Sequence, residues 1–166
     1  MTEQYISGYL EAVSRVKDIV TPFVGGSNSF FSIDKNASLN LLENLKTYLT
    51  ASKDGIWFLE KRKTDAEILY KNISLKPISD WEEVFPTQIK NWTCDTALES
   101  INGQNGYSLS EYLVKFLLKE FFDSKQANLY KLLPDWGDWP WGDQMGEEFI
   151  FETESNIYIM HFGESS

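Results

Sequence analysis

Two short segments near the C-terminus constrain the fold of this chain more than any other feature of its sequence. Residues Glu148 to Glu152 and Ile157 to Phe162 are mostly β-branched or aromatic, and four polar residues separate them. Two strand-forming runs on either side of a short polar connection predict an antiparallel hairpin. We therefore expect a β-sheet that includes the C-terminal end of the chain.

A strongly apolar helix is predicted before this hairpin. Ser108 and Glu111 have the spacing of a capping box, which places the start of a helix at this serine. The helix extends to about Phe122, and its apolar residues leave little polar face: Tyr112, Leu113, Phe116, Leu117, Leu118, Phe121 and Phe122. A helix that is apolar almost all round belongs in a core, so we expect it to pack against the sheet.

Further elements follow from periodicity and turn signals. The predicted helices cover Thr2 to about Val20, Ser38 to Ala51, Asp65 to Asn72, and one or two turns from Gln126 to Leu133. A strand is predicted at Ile56 to Glu60, after the Asp-Gly turn signal, whereas residues 29–33 fit either a strand or a buried loop. Together these elements predict an α+β fold with four to six helices and a small antiparallel sheet that includes a C-terminal β-hairpin. We expect one globular domain over residues 1–166.

Composition narrows the class of protein. An apolar share of 42% with 15% aromatic residues is typical of a globular chain, not a disordered one. Cys94 is the single cysteine, so an internal disulfide is excluded and a reducing compartment is indicated. The first residues lack the pattern of a signal peptide, and no apolar run is long enough for a membrane span. We expect a cytoplasmic protein that does not associate with membranes.

Charge is distributed very unevenly along the chain. The formal net charge is −10, and the segment from Leu132 to Ser166 carries no Lys or Arg. This segment holds eight carboxylates: Asp135, Asp138, Asp143, Glu147, Glu148, Glu152, Glu154 and Glu164. A chain with a pI near 4.6 is poorly suited to nucleic acid, because binding to phosphates requires many Lys and Arg residues.

The acidic segment is also rich in tryptophan, and together these residues predict a surface that binds a partner protein. The predicted contact residues are Asp135, Trp136, Asp138, Trp139, Trp141, Asp143, Glu147 and Glu148. Tryptophan is frequent among the residues that dominate binding energy, and a group of acids accelerates the encounter with a basic protein. The alternative interpretation is that the indoles are buried and the acids only keep the surface soluble.

The residues with catalytic chemistry do not form a recognisable motif. His161 has the same strand parity as Ile157 and Ile159, and Cys94 is the obvious nucleophile for it. A general base needs a nucleophile and an orienting group, but no known motif surrounds Cys94. We therefore expect Cys94 to be structural and His161 to be structural or at the surface. One histidine and one cysteine are too few for a transition-metal site. The spacing of the acids between Asp135 and Glu147 does not match a calcium-binding EF-hand. No catalytic residue, metal or cofactor is predicted.

A small, acidic, single-domain chain without catalytic motifs resembles the bacterial immunity proteins that accompany toxins of contact-dependent growth inhibition systems. The resemblance implies that the protein binds and neutralises a cognate basic toxin domain, often a nuclease, whose active surface is cationic. Two alternatives remain. One is an enzyme that acts on a small molecule or carbohydrate with carboxylates in a tryptophan-lined cleft; the other is an acidic adaptor or scaffold protein.

Overall fold

The structure, a computed structural model, describes residues 1–20, 25–95, 108–134 and 145–165. The helices in these ranges are α1 Glu3–Val20, α2 Leu41–Ala51, α3 Lys53–Lys61, α4 Lys63–Asn72, α5 Trp81–Ile89 and α6, residues 109–122. The strands are β1 Gly25–Asp34, β2 Ser74–Ile78, β3 Asn128–Leu133, β4 Met145–Glu152 and β5 Asn156–Ser165. The predicted α+β class is therefore confirmed.

The five strands form one antiparallel sheet in the order β1-β5-β4-β3-β2. The predicted C-terminal hairpin is present as β4 and β5, and it forms the middle of the sheet with Phe149 opposite Met160. Its connection is closed by Thr153, whose backbone N–H donates to the carbonyl of Asn156 over 3.0 Å. The sequence pattern of residues 29–33 fitted either a strand or a buried loop. These residues belong to strand β1, which pairs with β5 along its whole length.

The sheet buries both of its faces, and the two cores differ in composition. Because side chains alternate along a strand, β5 directs Tyr158 and Met160 to one face and Ile157 and Ile159 to the other. On the first side, here called the aromatic face, α1, α5 and α6 pack around Phe30, Phe149, Phe151 and Phe162. On the second, here called the aliphatic face, α2, α3 and α4 pack around Ile33, Leu132, Ile150, Ile157 and Ile159.

Helix α6 has the start and the position that the sequence predicts. The Ser108 hydroxyl accepts the backbone N–H of Glu111 over 3.2 Å, as expected for a capping serine. The helix begins as an α-helical turn, Leu109–Glu111, continues as a π-helix, Tyr112–Leu118, and ends as an α-helical turn, Lys119–Phe122. Its packing against the sheet is confirmed by the rings of Phe122 and Phe151, which stack with 4.8 Å between centroids.

Two predicted elements are wrong, and each error has a physical reason. The segment predicted as a turn followed by a strand at Ile56 to Glu60 is helix α3. Only Phe58 is fully buried there, while its apolar neighbours Ile56 and Trp57 are exposed, so burial does not alternate as in a strand. The predicted helical turns at 126–133 contain strand β3, whose Leu129 and Leu132 are buried on opposite faces of the sheet. A spacing of three residues fits both a helix and a strand covered on both sides.

Among the described residues, no helix combines the length and apolarity needed to cross a lipid bilayer.

Candidate functional site

Most of the predicted tryptophan-rich contact surface falls in one segment of the chain. Six of its eight residues lie between positions 135 and 144, which are outside the described residues: Asp135, Trp136, Asp138, Trp139, Trp141 and Asp143. The structure therefore locates only the two remaining members, Glu147 and Glu148, which are neighbours on β4.

The prediction that Glu148 contacts a partner protein is wrong, because its side chain is completely buried. Its Oε1 lies 3.1 Å from Nδ1 of His161 on the aliphatic face. Glu147 lies on the opposite face, where its carboxylate accepts hydrogen bonds from Lys131 Nζ at 2.6 Å and Trp92 Nε1 at 2.7 Å. Adjacent strand residues point to opposite faces, so these two acids cannot form one charged surface.

Other acids of the C-terminal segment are also paired with cations from distant parts of the chain. Glu152 forms an ion pair with Lys35 at 2.9 Å, and Glu164 forms one with Lys17. These lysines come from the first quarter of the sequence. The negative charge of the C-terminal strands is thus partly neutralised within the fold, which a count of charges along the sequence does not reveal.

The structure assigns His161 a position in a buried polar cluster. Its predicted parity with Ile157 and Ile159 is confirmed, and its Nε2 lies 3.4 Å from Oγ of Ser27. A Cβ atom added at Gly146 would lie 3.4 Å from the Cε1 atom of this imidazole, so the ring packs directly against this glycine. Serine, histidine and carboxylate in this order are the residue types of a hydrolase relay. Here the buried carboxylate of Glu148 holds the imidazole in place.

Cys94 has a different set of neighbours from His161. Burial raises the pKa of its thiol to about 11; nearby Lys17 lowers it, whereas Asp95 and Glu164 raise it. A protonated, buried thiol is a weak nucleophile, which agrees with the structural role expected for this cysteine. The lysine and glutamate beside it form an ion pair with each other, whereas His161 is partnered by Glu148 and Ser27. The two residues that the sequence considered as a catalytic pair therefore have different neighbours.

A cluster of partly exposed aromatic rings lies where α1 meets α6. Tyr112 stacks on Phe116 with 5.5 Å between ring centroids, and Tyr9 lies 5.6 Å from Tyr112. Tyr112 is 39% exposed and Phe116 43% exposed. The hydroxyl of Tyr9 donates to the carbonyl of Leu109 over 2.8 Å and fixes the two helices together. Sequence reasoning counted these rings as core residues, because their spacing is that of the buried stripe.

Carboxylates border these rings. Glu120 lies one turn after Phe116 and 3.5 Å from the N-terminal amino group, and Glu111 pairs with Lys115 at 3.4 Å. We call the set Tyr5, Tyr9, Tyr112, Phe116, Glu111 and Glu120 the α1–α6 surface. The helices of the aromatic face carry seven acids and four bases: Glu3, Glu11, Asp18, Glu82, Glu83, Glu111 and Glu120 against Arg15, Lys17, Lys115 and Lys119. Residues 41–72, on the aliphatic face, carry five acids and six bases.

Within the described ranges, no three His, Cys, Asp or Glu side chains are grouped as a metal site requires.

Comparisons with known proteins give a likeness of fold. No protein-family profile matches the chain, and no curated protein sequence matches it. A crystal structure of citrus MAF1 in space group P 31 2 1 matches with a TM-score of 0.50 and 15% sequence identity, over 95% of this chain and 99% of that chain. A second crystal structure of citrus MAF1, in space group C 2 2 21, gives a TM-score of 0.49 and 16% identity over the same shares of the two chains. At these identities the similarity concerns the arrangement of the backbone alone.

Proposed function

We propose that this protein is a cytoplasmic immunity protein that binds and neutralises a cationic toxin domain, and that the α1–α6 surface is a main contact with this partner. The observation that carries the proposal is the exposed, stacked pair of Tyr112 and Phe116 with carboxylates at its border. This combination of aromatic rings and acids is the chemistry that the sequence predicted for the partner-binding surface, although at a different place in the chain.

Partly exposed aromatic rings are suited to anchor a protein interface. Side chains of this kind have few rotatable bonds, and truncation of a central one costs about 2 kcal/mol or more of binding free energy. The stacking of Tyr112 on Phe116 and the hydrogen bond of Tyr9 hold the rings in place before binding. Little side-chain entropy then remains to be lost in the complex. A guanidinium of the partner could also stack on these ring faces.

The negative net charge of this protein favours a basic partner. The chain has a net charge of −10, and acids exceed bases on the helices around the α1–α6 surface. A field of one sign steers an oppositely charged protein and raises its association rate, and the effect falls with ionic strength. A nuclease toxin presents such a positive surface, because it must bind phosphates.

The segment that contains Trp139 and Trp141 remains part of the proposal as a second contact region. Its acids, Asp135, Asp138 and Asp143, add negative charge, and its tryptophans add candidates for further anchors.

The experiment begins with the protein encoded by the neighbouring gene, co-expressed with this chain and purified as a complex. Tyr112→Ala and Phe116→Ala should each weaken the complex about 30-fold, the equivalent of about 2 kcal/mol. Glu120→Lys should lower the association rate and its dependence on salt. Trp57→Ala is the matched control, since Trp57 is also an exposed aromatic residue but lies on α3. A neighbouring protein that is neither basic nor toxic would remove the functional class. An effect of Trp57→Ala alone would place the interface on the other side of the sheet.

A further inference from the structure

Three side chains with complementary chemistry lie in one row across three neighbouring strands. Glu148 on β4 is directly opposite His161 on β5, and Ser27 on β1 is a diagonal neighbour of this histidine, two positions from the residue that faces it. Alternate residues of a strand point to the same face, so all three side chains lie on the aliphatic face. Cross-strand and diagonal neighbours are within reach of each other. The register of the sheet therefore fixes the order serine, histidine, carboxylate.

Each ring nitrogen of His161 has its own partner in this row. Oε1 of Glu148 lies 3.1 Å from Nδ1, and Oγ of Ser27 lies 3.4 Å from Nε2. Because a carboxylate oxygen can only accept, it places the hydrogen of the neutral imidazole on Nδ1. Nε2 is then an acceptor beside the serine hydroxyl, which is the arrangement of a general base and its nucleophile. Hydrogen bonds of such pairs are often long in the free enzyme and shorten when substrate binds.

Burial divides the row in the way that a nucleophilic site requires. Ser27 is exposed, whereas His161 is 3% exposed and Glu148 is completely buried. The serine can therefore meet a substrate, while the two groups behind it are shielded from water, where electrostatic interactions are stronger. Ser27 and His161 also line the same cavity, of about 310 Å³, between β1 and helix α1.

The cavity offers donors for the negative charge that develops on a carbonyl oxygen under attack. The backbone N–H of Gly26 points out of the open edge of β1 and donates to Asp18 over 2.9 Å. Asn28 lies two residues further along the strand, so its backbone N–H points out of the same edge. The N–H of the residue after the nucleophile is the donor that many hydrolases use for this charge. Arg15 borders the cavity from α1 and adds a positive charge.

The lining of the cavity defines the class of substrate. Besides the serine and the histidine, the lining residues that carry a side chain are all polar: Glu11, Ser14, Arg15, Asn28 and Ser29. The volume is at the lower end of the range for small-molecule sites. A long acyl chain would bury no apolar surface against these residues, whereas an acetyl group requires none. We propose that Ser27, His161 and Glu148 form a hydrolytic site for small esters with a short acyl group, an activity that is independent of toxin binding.

The reaction has two steps. Oγ of Ser27 attacks the carbonyl carbon of the ester as its proton moves to Nε2 of His161; the bond from this carbon to the alcohol oxygen breaks, and the alcohol leaves with that proton. Water then attacks the acyl-serine and gives a proton to Nε2. The bond from the acyl carbon to Oγ breaks, the serine regains its proton, and a carboxylic acid is released. Glu148 touches no substrate and is a positioning residue, which keeps the imidazole in the basic tautomer.

The probes for the full chain are 4-nitrophenyl acetate and a fluorophosphonate. We expect hydrolysis of the ester and one covalent fluorophosphonate adduct, which peptide mass spectrometry should locate on Ser27. Ser27→Ala should lower kcat/KM about 100-fold or more and abolish the adduct; the exposed position of this serine lets the variant fold. The controls are Ser32→Ala, an exposed serine on the same strand outside the cavity, and Cys94→Ala, which removes the single thiol. Both should leave the two readouts unchanged.

Two further measurements test the carboxylate and the acyl group. The amide of Glu148→Gln can donate to Nδ1 and so move the hydrogen of the imidazole to Nε2, which should lower kcat about 100-fold or more with little change in KM. The octanoate ester should react at least about tenfold more slowly than the acetate ester. Hydrolysis or labelling that persists in Ser27→Ala, or the absence of both from the unmodified protein, would overturn the proposal. An unchanged kcat of Glu148→Gln would overturn its positioning role, and equal reaction of octanoate would overturn the substrate class.

Discussion

The two faces of the sheet are built from the same strands, but their cores differ in composition. On the aromatic face, rings contact one another in a network, as Phe30 does with Phe121 at 5.6 Å and Tyr158 at 5.6 Å. On the aliphatic face, branched side chains dominate, and the sheet there also buries the pair of His161 and Glu148. The comparison teaches that alternation along single strands, such as β5, can specify two cores of different chemistry at once.

The helices that cover the two faces differ in charge and in exposed side chains. The helices of the aromatic face have an excess of acids and display Tyr112 and Phe116, whereas those of the aliphatic face are nearly neutral and display Trp57. The acids of β4 and β5 contribute less to the surface, because their paired side chains are mostly buried, whereas Glu111 and Glu120 are also paired but more exposed. The covering helices therefore account for most of the difference in surface charge between the two sides of the sheet.

The largest expected effect compares two adjacent acids on opposite faces. Glu148→Ala removes a fully buried carboxylate that contacts His161 and should lower the free energy of unfolding by about 3 kcal/mol. Glu147→Ala removes partly exposed contacts with Lys131 and Trp92 and should cost about 1–2 kcal/mol. Denaturant unfolding of both variants measures the difference. Equal losses would mean that burial of the carboxylate does not set the cost of its removal.

A second prediction uses pH to test the surroundings of Cys94. Burial raises the pKa of the Cys94 thiol from its ordinary value of 9.0 to about 11, so the folded state holds this proton more tightly than the unfolded state. Stability should therefore fall as pH rises from 9 to 11, because the unfolded state loses the proton first. Denaturant unfolding at pH 8 and pH 10.5 measures this fall, and Cys94→Ala should reduce it. Rapid reaction of the native thiol with a disulfide reagent at pH 8 would contradict the burial.

Double-mutant cycles can show whether the two cores are energetically separate. Phe122→Leu and Phe151→Leu change stacked rings on the aromatic face, and their coupling should be about 0.5–1.5 kcal/mol. Phe122→Leu combined with Ile159→Val, on the aliphatic face, should be additive within about 0.5 kcal/mol. Unfolding free energies of the single and double variants measure both couplings. Strong coupling across the sheet would show that the faces act as one core.

The smallest expected effect compares the N-caps of one helix on each face. The side-chain oxygen of Asn40 accepts the backbone N–H of Glu43, and the backbone N–H of Asn40 donates to the Glu43 carboxylate, which completes a capping box on α2. Ser108 accepts the N–H of Glu111 at the start of α6. Replacement of either cap by alanine should cost about 1 kcal/mol, and the loss should be a few tenths greater at Asn40. Thermal unfolding measures the two shifts, with Ser32→Ala as a control.

Local sequence patterns were sufficient for the elements whose signals agree with one another. The hairpin, helix α1, the capped start of α6 and the parity of His161 follow from periodicity and capping chemistry, and the structure confirms them. Helix α3 and strand β3 could not be predicted from local patterns. Tertiary packing buries Phe58 and Leu132, and the sequence around them does not show which element makes that burial possible. Packing routinely overrides local preference in this way.

The candidate site was less predictable than the fold. Glu148 was predicted as a surface charge, but its side chain is buried opposite His161 in the hairpin. The sequence around Glu148 contains no signal of this burial. Lys17 and Lys35 neutralise C-terminal acids through contacts more than 100 residues apart in sequence. Such pairings depend on strand order, which a single sequence does not provide.

The two outer strands of the sheet have consequences for aggregation. An open strand edge is a template on which another polypeptide can add by hydrogen bonding. Along β1 this template is covered by α1, and at the other side β2 is only five residues long and contains Pro77, which has no N–H to offer. Long-term storage and overexpression at high concentration should therefore produce little fibrillar material, even though the interior strands are rich in phenylalanine and isoleucine.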